Sequence, residues 1–371
     1  MSRYWNKRTK TLIPYKPGEQ PQDRKFIKLN TNENPYPPSP KVIAAIEEVL
    51  AGEKGNSLSK GDRLRLYPDP LCMQFRKAIA GAYGVNVSQV FPCNGSDEVL
   101  AFAFGAFFES EILFPDITYS FYPVYADLWD IPYTTIPLQE DFSINIDDYA
   151  KASNSGGVIL PNPNAPTGCV LPAASLLQLA KKLEHNNNVL IVDEAYISFG
   201  AQSLVPYVTD HPNILIVHTL SKSHCLAGLR AGFAIGSEDL IEGLFRVRDS
   251  FNSYTMDALA IRGGTAAVLD KAYYDTINQK VINTRERTAA ALLAMGFTIV
   301  PSKANFLFIS YSGIKGQALF LALRERGILA RHFNKERISD YIRVSIGNDE
   351  DMDIFLAACR EIITAMHGGK Q

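Results

Sequence analysis

Cysteine is scarce in this 371-residue chain: the five residues Cys72, Cys93, Cys169, Cys225 and Cys359 are scattered and never fall in C-x-x-C spacing. So dispersed and odd-numbered a set excludes a disulfide framework and a thiolate zinc site, no metal is expected, and a reducing cytoplasm fits best. An excess of either charge is also missing. The formal net charge of −2 leaves no basic footprint for nucleic acid and no polybasic patch for a membrane surface. No apolar run approaches the length of a membrane span, and the basic opening MSRYWNKRTKTLIPYKPGEQ lacks the apolar core of a signal peptide. Neither an internal repeat nor a low-complexity tract is found. What remains reads as a soluble globular chain, 46% apolar and long enough for two domains. Its expected partners are small molecules and copies of itself.

The stretch 213–236, NILIVHTLSKSHCLAGLRAGFAIG, organises the rest. Its ILIV is an unbroken aliphatic run suited to a strand buried on both faces, as in a parallel sheet. Just past it Lys222 stands among Thr219, Ser221 and Ser223, with Arg230 eight positions on. A lysine in a loop is ordinarily just solvated. Hydroxyls and an arginine around it instead make an anion cradle beside an amine able to form a Schiff base, at a strand end where open α/β sheets bind ligands. VLIVDEAY is another buried strand, and it ends in Asp193, a charge too close to a core to stand unpaired. VILPNPNAPTG ends a third strand in a tight loop. In VFPCNGSDEVLAFAFGAFF a strand and turn precede a helix apolar nearly all round, expected to be capped by Ser96 or Asp97 with first-turn N–H groups free for an anion.

The N-x-P-T-G loop, DEAY and TLSKSHCLAGLRAGF, in this order along the chain, resemble fold-type I pyridoxal-phosphate (PLP) aminotransferases, and among them the histidinol-phosphate aminotransferase group, over nearly the whole chain. The resemblance implies that Lys222 carries PLP and later moves a proton between the substrate Cα and the cofactor C4′. It implies that Asp193 keeps the pyridine nitrogen protonated and that Tyr196 reaches the phenolic oxygen. Gly95, Ser96, Asp97, Thr219, Ser221 and Arg230 are implied around the phosphate, together with Tyr67 of a neighbouring subunit. The TYxxY pattern carries the ring-stacking role to Tyr122. Where the family places an asparagine directly before PTG, this chain has Ala165, so the amide is expected from Asn164, with Asn162 in reserve. On the substrate side the resemblance implies Arg343 and Arg331 as anion clamps and Tyr36, Asn252 and Tyr254 as pocket walls.

The expected fold is therefore α/β, PLP-dependent transferase fold type I. A large domain over 35–255 holds a mostly parallel seven-stranded sheet, a smaller α+β domain covers 256–371, and an arm over 1–34 packs with the small domain. The expected activity is ping-pong transfer of an amino group from histidinol phosphate to 2-oxoglutarate, in histidine biosynthesis, by a cytoplasmic homodimer that binds neither nucleic acid nor membrane. Threonine-phosphate decarboxylases and aromatic amino-acid aminotransferases share the motifs and stand as alternatives. A non-catalytic PLP-binding regulatory module is disfavoured, because an irregular arm of about 26 residues is too short for the DNA-binding domain such modules carry.

Overall fold

A computed structural model describes residues 2–21, 24–51, 59–151 and 156–368. Strand β1 (Ile27–Lys28) follows the N-terminal arm. Strands β2 (Val90–Cys93), β3 (Ile112–Pro115), β4 (Tyr133–Ile136), β5 (Gly157–Pro161), β6 (Val189–Asp193), β7 (Ile214–Thr219) and β8 (Gly232–Ile235) form a seven-stranded sheet in the order β2-β8-β7-β6-β5-β3-β4. Pairing is parallel from β4 through β7, while β8 runs antiparallel to both β7 and β2. The mostly parallel seven-stranded sheet implied by the family resemblance is present.

Strands β5, β6 and β7 are buried along their whole length, which is why they read as continuous aliphatic runs rather than alternating ones. Side-chain parity then sorts them between two cores. Val158, Leu160, Leu190, Val192, Ile214 and Ile216 face one layer. Ile159, Val189, Ile191, Leu215 and Val217 face the other. Continuing the alternation puts Pro161, Asp193 and Thr219 on the second face at the C-terminal edge, where Pro161 and Asp193 are register partners.

A second unit follows. Strands β9 (Thr298–Val300), β10 (Phe306–Ser310), β11 (Ile328–Leu329), β12 (Arg331–His332) and β13 (Ile342–Ser345) supply an antiparallel sheet in the order β12-β13-β10-β9, and β11 pairs parallel with β1. Leu307, Ile309, Ile342, Val344, Phe355 and Cys359 give this unit its own core. The first core nevertheless follows the chain well beyond residue 255. Ala260, Ile261, Ala267 and Val268 of the helix Ala258–Leu269 belong to it, as do Tyr274 and Ile277 of the long helix Lys271–Ala294, whose Val281 and Leu292 lie in the core of the second unit. Small residues allow the approach: a Cβ at Gly263 would meet Leu229 Cδ2 at 2.8 Å, and one at Gly264 would meet Phe75 Cε2 at 3.0 Å. The chain changes cores inside the long helix, which no break in sequence pattern marks. Among the described residues no helix is long and apolar enough to cross a membrane, and no His, Cys, Asp and Glu group is arranged to hold a metal.

Candidate active site

A cavity of about 340 Å³ opens at the C-terminal edge of the parallel strands, with Ser96, Asp97, Asp193, Tyr196, Thr219, Ser221, Lys222 and Arg230 on its wall. These eight sequence-identified residues come from four separate strand ends and loops. Parallel strands bring them together because each βα turn emerges at the same edge of the sheet.

At its floor Asp193 is buried, accepting a hydrogen bond from the Tyr122 hydroxyl (3.0 Å) and one from the Ala195 N–H (3.1 Å). Neither partner is a cation. Burial therefore pushes the carboxyl up to about 6, with the two hydrogen bonds only partly opposing it. Lys222 has the inverse problem: burial pulls its ammonium down to about 8, the Glu33 carboxylate partly opposing. Its Nζ donates to the Thr31 carbonyl at 2.9 Å. An amine held near 8 is in part a free nucleophile and base at neutral pH.

The opposite end of the cavity is built for an anion. The helix Ser96–Phe107 starts directly after Gly95, at φ 78°, with no side-chain cap. Ser96 and Asp97 therefore sit within the first turn instead of capping it, and first-turn N–H groups are left for a ligand. Gly95 is required twice over, by its positive φ and because a Cβ there would lie 2.5 Å from Arg230 Nη2. Thr219 and Ser221 are buried and hydrogen-bonded to each other at 3.0 Å. Arg230 pairs with Asp97 at 3.2 Å, and Asp97 also accepts from the Tyr119 hydroxyl at 2.7 Å.

Other expectations are displaced. Tyr122 does not face the cavity. It opens the helix Tyr122–Trp129, is fully sealed, and gives its hydroxyl to Asp193 from below. Tyr119, three residues earlier, is the tyrosine of this segment that lines the wall. Asn164 is buried within its loop: Nδ2 donates to the Ile117 carbonyl (3.0 Å) and Thr167 Oγ1 (3.0 Å), and Oδ1 accepts from Thr118 Oγ1 (3.1 Å). Both amide protons are engaged. Asn162 is likewise tied to Leu171 through both ends of its amide (3.2 and 2.8 Å), so the residue this loop presents to the cavity is Ala165.

The residues expected on the substrate side are not on the wall of this cavity. Arg343 sits between the Phe306 and Phe333 rings, with one donor on the Asn30 carbonyl at 3.0 Å and its sealed Nε without a partner. Arg331, its register partner across β12 and β13, bonds the Lys16 carbonyl at 3.4 Å. Among the described residues no carboxylate forms a salt bridge with either arginine. Tyr36 packs between the first core and the core of the second unit, with Lys280 over its ring. Asn252 caps the C-terminal end of the helix Glu238–Phe251. Tyr67 is 81% exposed and stacks on Tyr254 at 4.5 Å between ring centroids. Neither of that pair lines the cavity, but Tyr67 and Arg230 share a neighbouring groove.

Sequence reading missed Tyr119, Thr31 and Tyr15, which also line the cavity. Tyr15 belongs to the arm, which crosses the site with its ring stacked on Phe121. Only the TYxxY spacing carried a signal for Tyr119, the other tyrosine of that pattern.

An anion cradle, an aromatic wall, a buried carboxylate lacking a cation and a depressed amine together complement a phosphorylated, protonatable aromatic aldehyde. Pyridoxal 5′-phosphate has that chemistry, and Asp193 in particular has the donor demand of its ring nitrogen. Comparison with known proteins agrees. The profile of the aminotransferase class I and II family matches residues 24–358. A histidinol-phosphate aminotransferase of Clostridium acetobutylicum is 51% identical over 366 residues, 98% of this chain and 100% of that one, and one of Clostridium botulinum is 50% identical over 369 residues, 99% and 100% respectively. In fold, the chain matches the histidinol-phosphate aminotransferase of Sinorhizobium meliloti solved in complex with pyridoxal-5′-phosphate, with a TM-score of 0.85 at 22% identity and 99% of both chains covered. It also matches a Thermus thermophilus aspartate aminotransferase solved with maleate, with a TM-score of 0.80 at 17% identity, covering 97% of this chain and 100% of that one. The chain belongs to the class I and II aminotransferases, PLP-dependent enzymes, and within them to the histidinol-phosphate aminotransferase family.

Proposed function

We propose that this enzyme transfers the amino group of histidinol phosphate to 2-oxoglutarate. One observation carries the substrate reading beyond family membership: two neighbouring arginines, Arg343 and Arg331, with no carboxylate salt bridge among the described residues. A partly desolvated guanidinium without an anion is costly unless a ligand supplies one. The phosphate of the donor and the carboxylates of the acceptor meet that need in turn, as a shared-site exchange requires.

PLP, when bound, supplies an electron sink for the pair left when the substrate Cα–H bond breaks. The chain's own groups do the rest. Asp193 stabilises a proton on the ring nitrogen and gains the cation its burial demands. Lys222 takes the proton from Cα and returns it on the other side of the exchange, as an amine near 8 is suited to do. The first turn at Ser96, with Thr219, Ser221 and Arg230, holds the phosphate, Tyr119 supports the ring face, and Tyr196 addresses the phenolic oxygen. Tyr67 serves a second copy of the chain: it is exposed, stacks on the exposed Tyr254 and shares a groove with Leu64 and Leu66, which are exposed as well. Large apolar side chains gathered in this way favour a homodimer. Five free cysteines fit a reducing cytoplasm.

Half-reactions followed by cofactor absorbance test the proposal, with histidinol phosphate, phenylalanine, tyrosine and threonine phosphate as donors. Histidinol phosphate is expected to convert the cofactor fastest, and 2-oxoglutarate to restore it. Carbon dioxide release from threonine phosphate without an acceptor would replace the reading with a decarboxylase.

A further inference from the structure

We propose that Asn32 is a positioning residue: it fixes the Tyr196 hydroxyl as the hydrogen-bond donor to the cofactor's phenolic oxygen, where the NPNAPTG loop presents only Ala165. The inference rests on the cofactor reading above and deepens it.

Asn32 is buried at φ 59°, a left-handed conformation that asparagine tolerates better than most residues with a Cβ. It stands in a chain of hydrogen bonds whose direction is set at its first member. The Asn32 backbone N–H, which can only donate, bonds to Ser345 Oγ at 2.8 Å. The Ser345 hydroxyl passes its own proton to Asn32 Oδ1 at 2.9 Å. With Oδ1 so occupied, Nδ2 is the end that meets Tyr196, donating to the phenol oxygen at 2.9 Å. Turning the amide over would leave the Ser345 proton without an acceptor. The Tyr196 oxygen thus already receives a proton from behind, and its own O–H points to the cavity it lines. Burial holds that phenol above its ordinary range, so it keeps the proton.

The surroundings keep this geometry stiff. Asn305 Nδ2 donates to the Asn32 carbonyl at 2.9 Å, and the preceding carbonyl, of Thr31, receives the Lys222 amine. Asn164 is engaged with Ile117, Thr118 and Thr167, and Asn162 with Leu171, so neither competes for the role. Asp193 and Arg343 are the charged groups acting on Tyr196, and the substitutions below leave both in place.

The test is a pH titration of the absorbance of the PLP-bound enzyme. A donor stabilises the phenolate oxygen most when the neighbouring imine nitrogen is unprotonated, so losing it raises the midpoint. Asn32→Ala and Tyr196→Phe are each expected to raise it by about one pH unit, the worth of one charge-assisted hydrogen bond, and the double variant no further. Asn32→Asp discriminates most sharply. Its carboxylate would accept the Tyr196 proton and turn the phenol's lone pairs to the cavity, shifting the midpoint at least as far despite the near-identical shape. Ser345→Ala, which frees the amide to turn, should give a smaller shift of the same sign and serves if Asn32→Ala does not fold. Wild-type midpoints in the Asn32 and Ser345 variants with lowered thermal stability, or additive shifts in the double variant, overturn the proposal. A wild-type protein with no bound-PLP absorbance overturns the cofactor reading itself, a distinct result.

Discussion

Asp193 and Glu194 are consecutive carboxylates at the end of β6, both buried, on opposite faces of the sheet. Glu194 is saturated: it meets His218 Nε2 at 2.9 Å and accepts from Ser203 Oγ (2.6 Å) and the Leu204 N–H (2.8 Å). Asp193 has only a phenol and one amide, and its pKa rises. A structural buried acid is satisfied by the protein alone, whereas a cofactor-holding acid keeps an unmet demand that a bound cation relieves. The difference lies in partners, since sequence position and depth are nearly equal.

The largest effect that bears on this contrast belongs to Lys222, the cation-forming group on the Asp193 side. Lys222→Ala should lower transamination by at least about 10⁴-fold, and borohydride reduction should label no other lysine, as peptide mapping would show. Because the folded-state pKa lies near 8, below the ordinary 10.5, the neutral amine fraction climbs most steeply through pH 8, where it reaches about half, and levels only above about pH 9. The rate of PLP uptake by apoprotein should follow that curve. A flat profile from pH 6 to 9 would mean Lys222 is not the reacting amine.

Asp193→Asn against Glu194→Gln breaks the pair most directly. The first should cost about 10²–10³-fold in turnover yet stabilise the apoprotein. Asp193 binds its proton more tightly folded than unfolded, so stability falls as pH rises from about 4 to about 6 and the full penalty stands above that. The Asn gain should therefore be near zero below pH 4 and on the order of 3 kcal/mol above pH 6. Glu194→Gln should do the reverse, losing about 1–3 kcal/mol with the cofactor absorbance unmoved. Denaturant melts of both apoproteins at pH 4 and 7.5 decide it, and two losses of equal size would erase the distinction.

The smallest effect concerns the loop. Asn164→Ala should cost about 1–3 kcal/mol through its lost bonds to Ile117 and Thr167, and leave the pH midpoint of the cofactor absorbance where it was. A shifted midpoint would return Asn164 to the cofactor, where sequence reasoning had put it.

Asp193, Lys222 and the parallel sheet were legible because each rests on a local pattern: an aliphatic run ending in a polar group. Gly95 and Arg230 were legible through motif order. The misplacement of Tyr122 and Asn164 has a common cause. Contacts with distant chain decided both: Asp193 holds Tyr122 rather than Tyr119 beneath the site, and Ile117 holds Asn164 away from the cavity.

Local patterning by itself determined the strands, their polar ends and the chemistry gathered there, because burial on both faces demands continuous apolar residues and strand ends demand polar ones. Tertiary structure alone decided which tyrosine faces the cavity, that the first core extends through Ile277, and that Asn32 meets Ser345 and Tyr196, separated from it by 313 and 164 positions. A hydrogen bond forms between atoms a few ångströms apart, and sequence separation carries no information about that distance until the chain has folded.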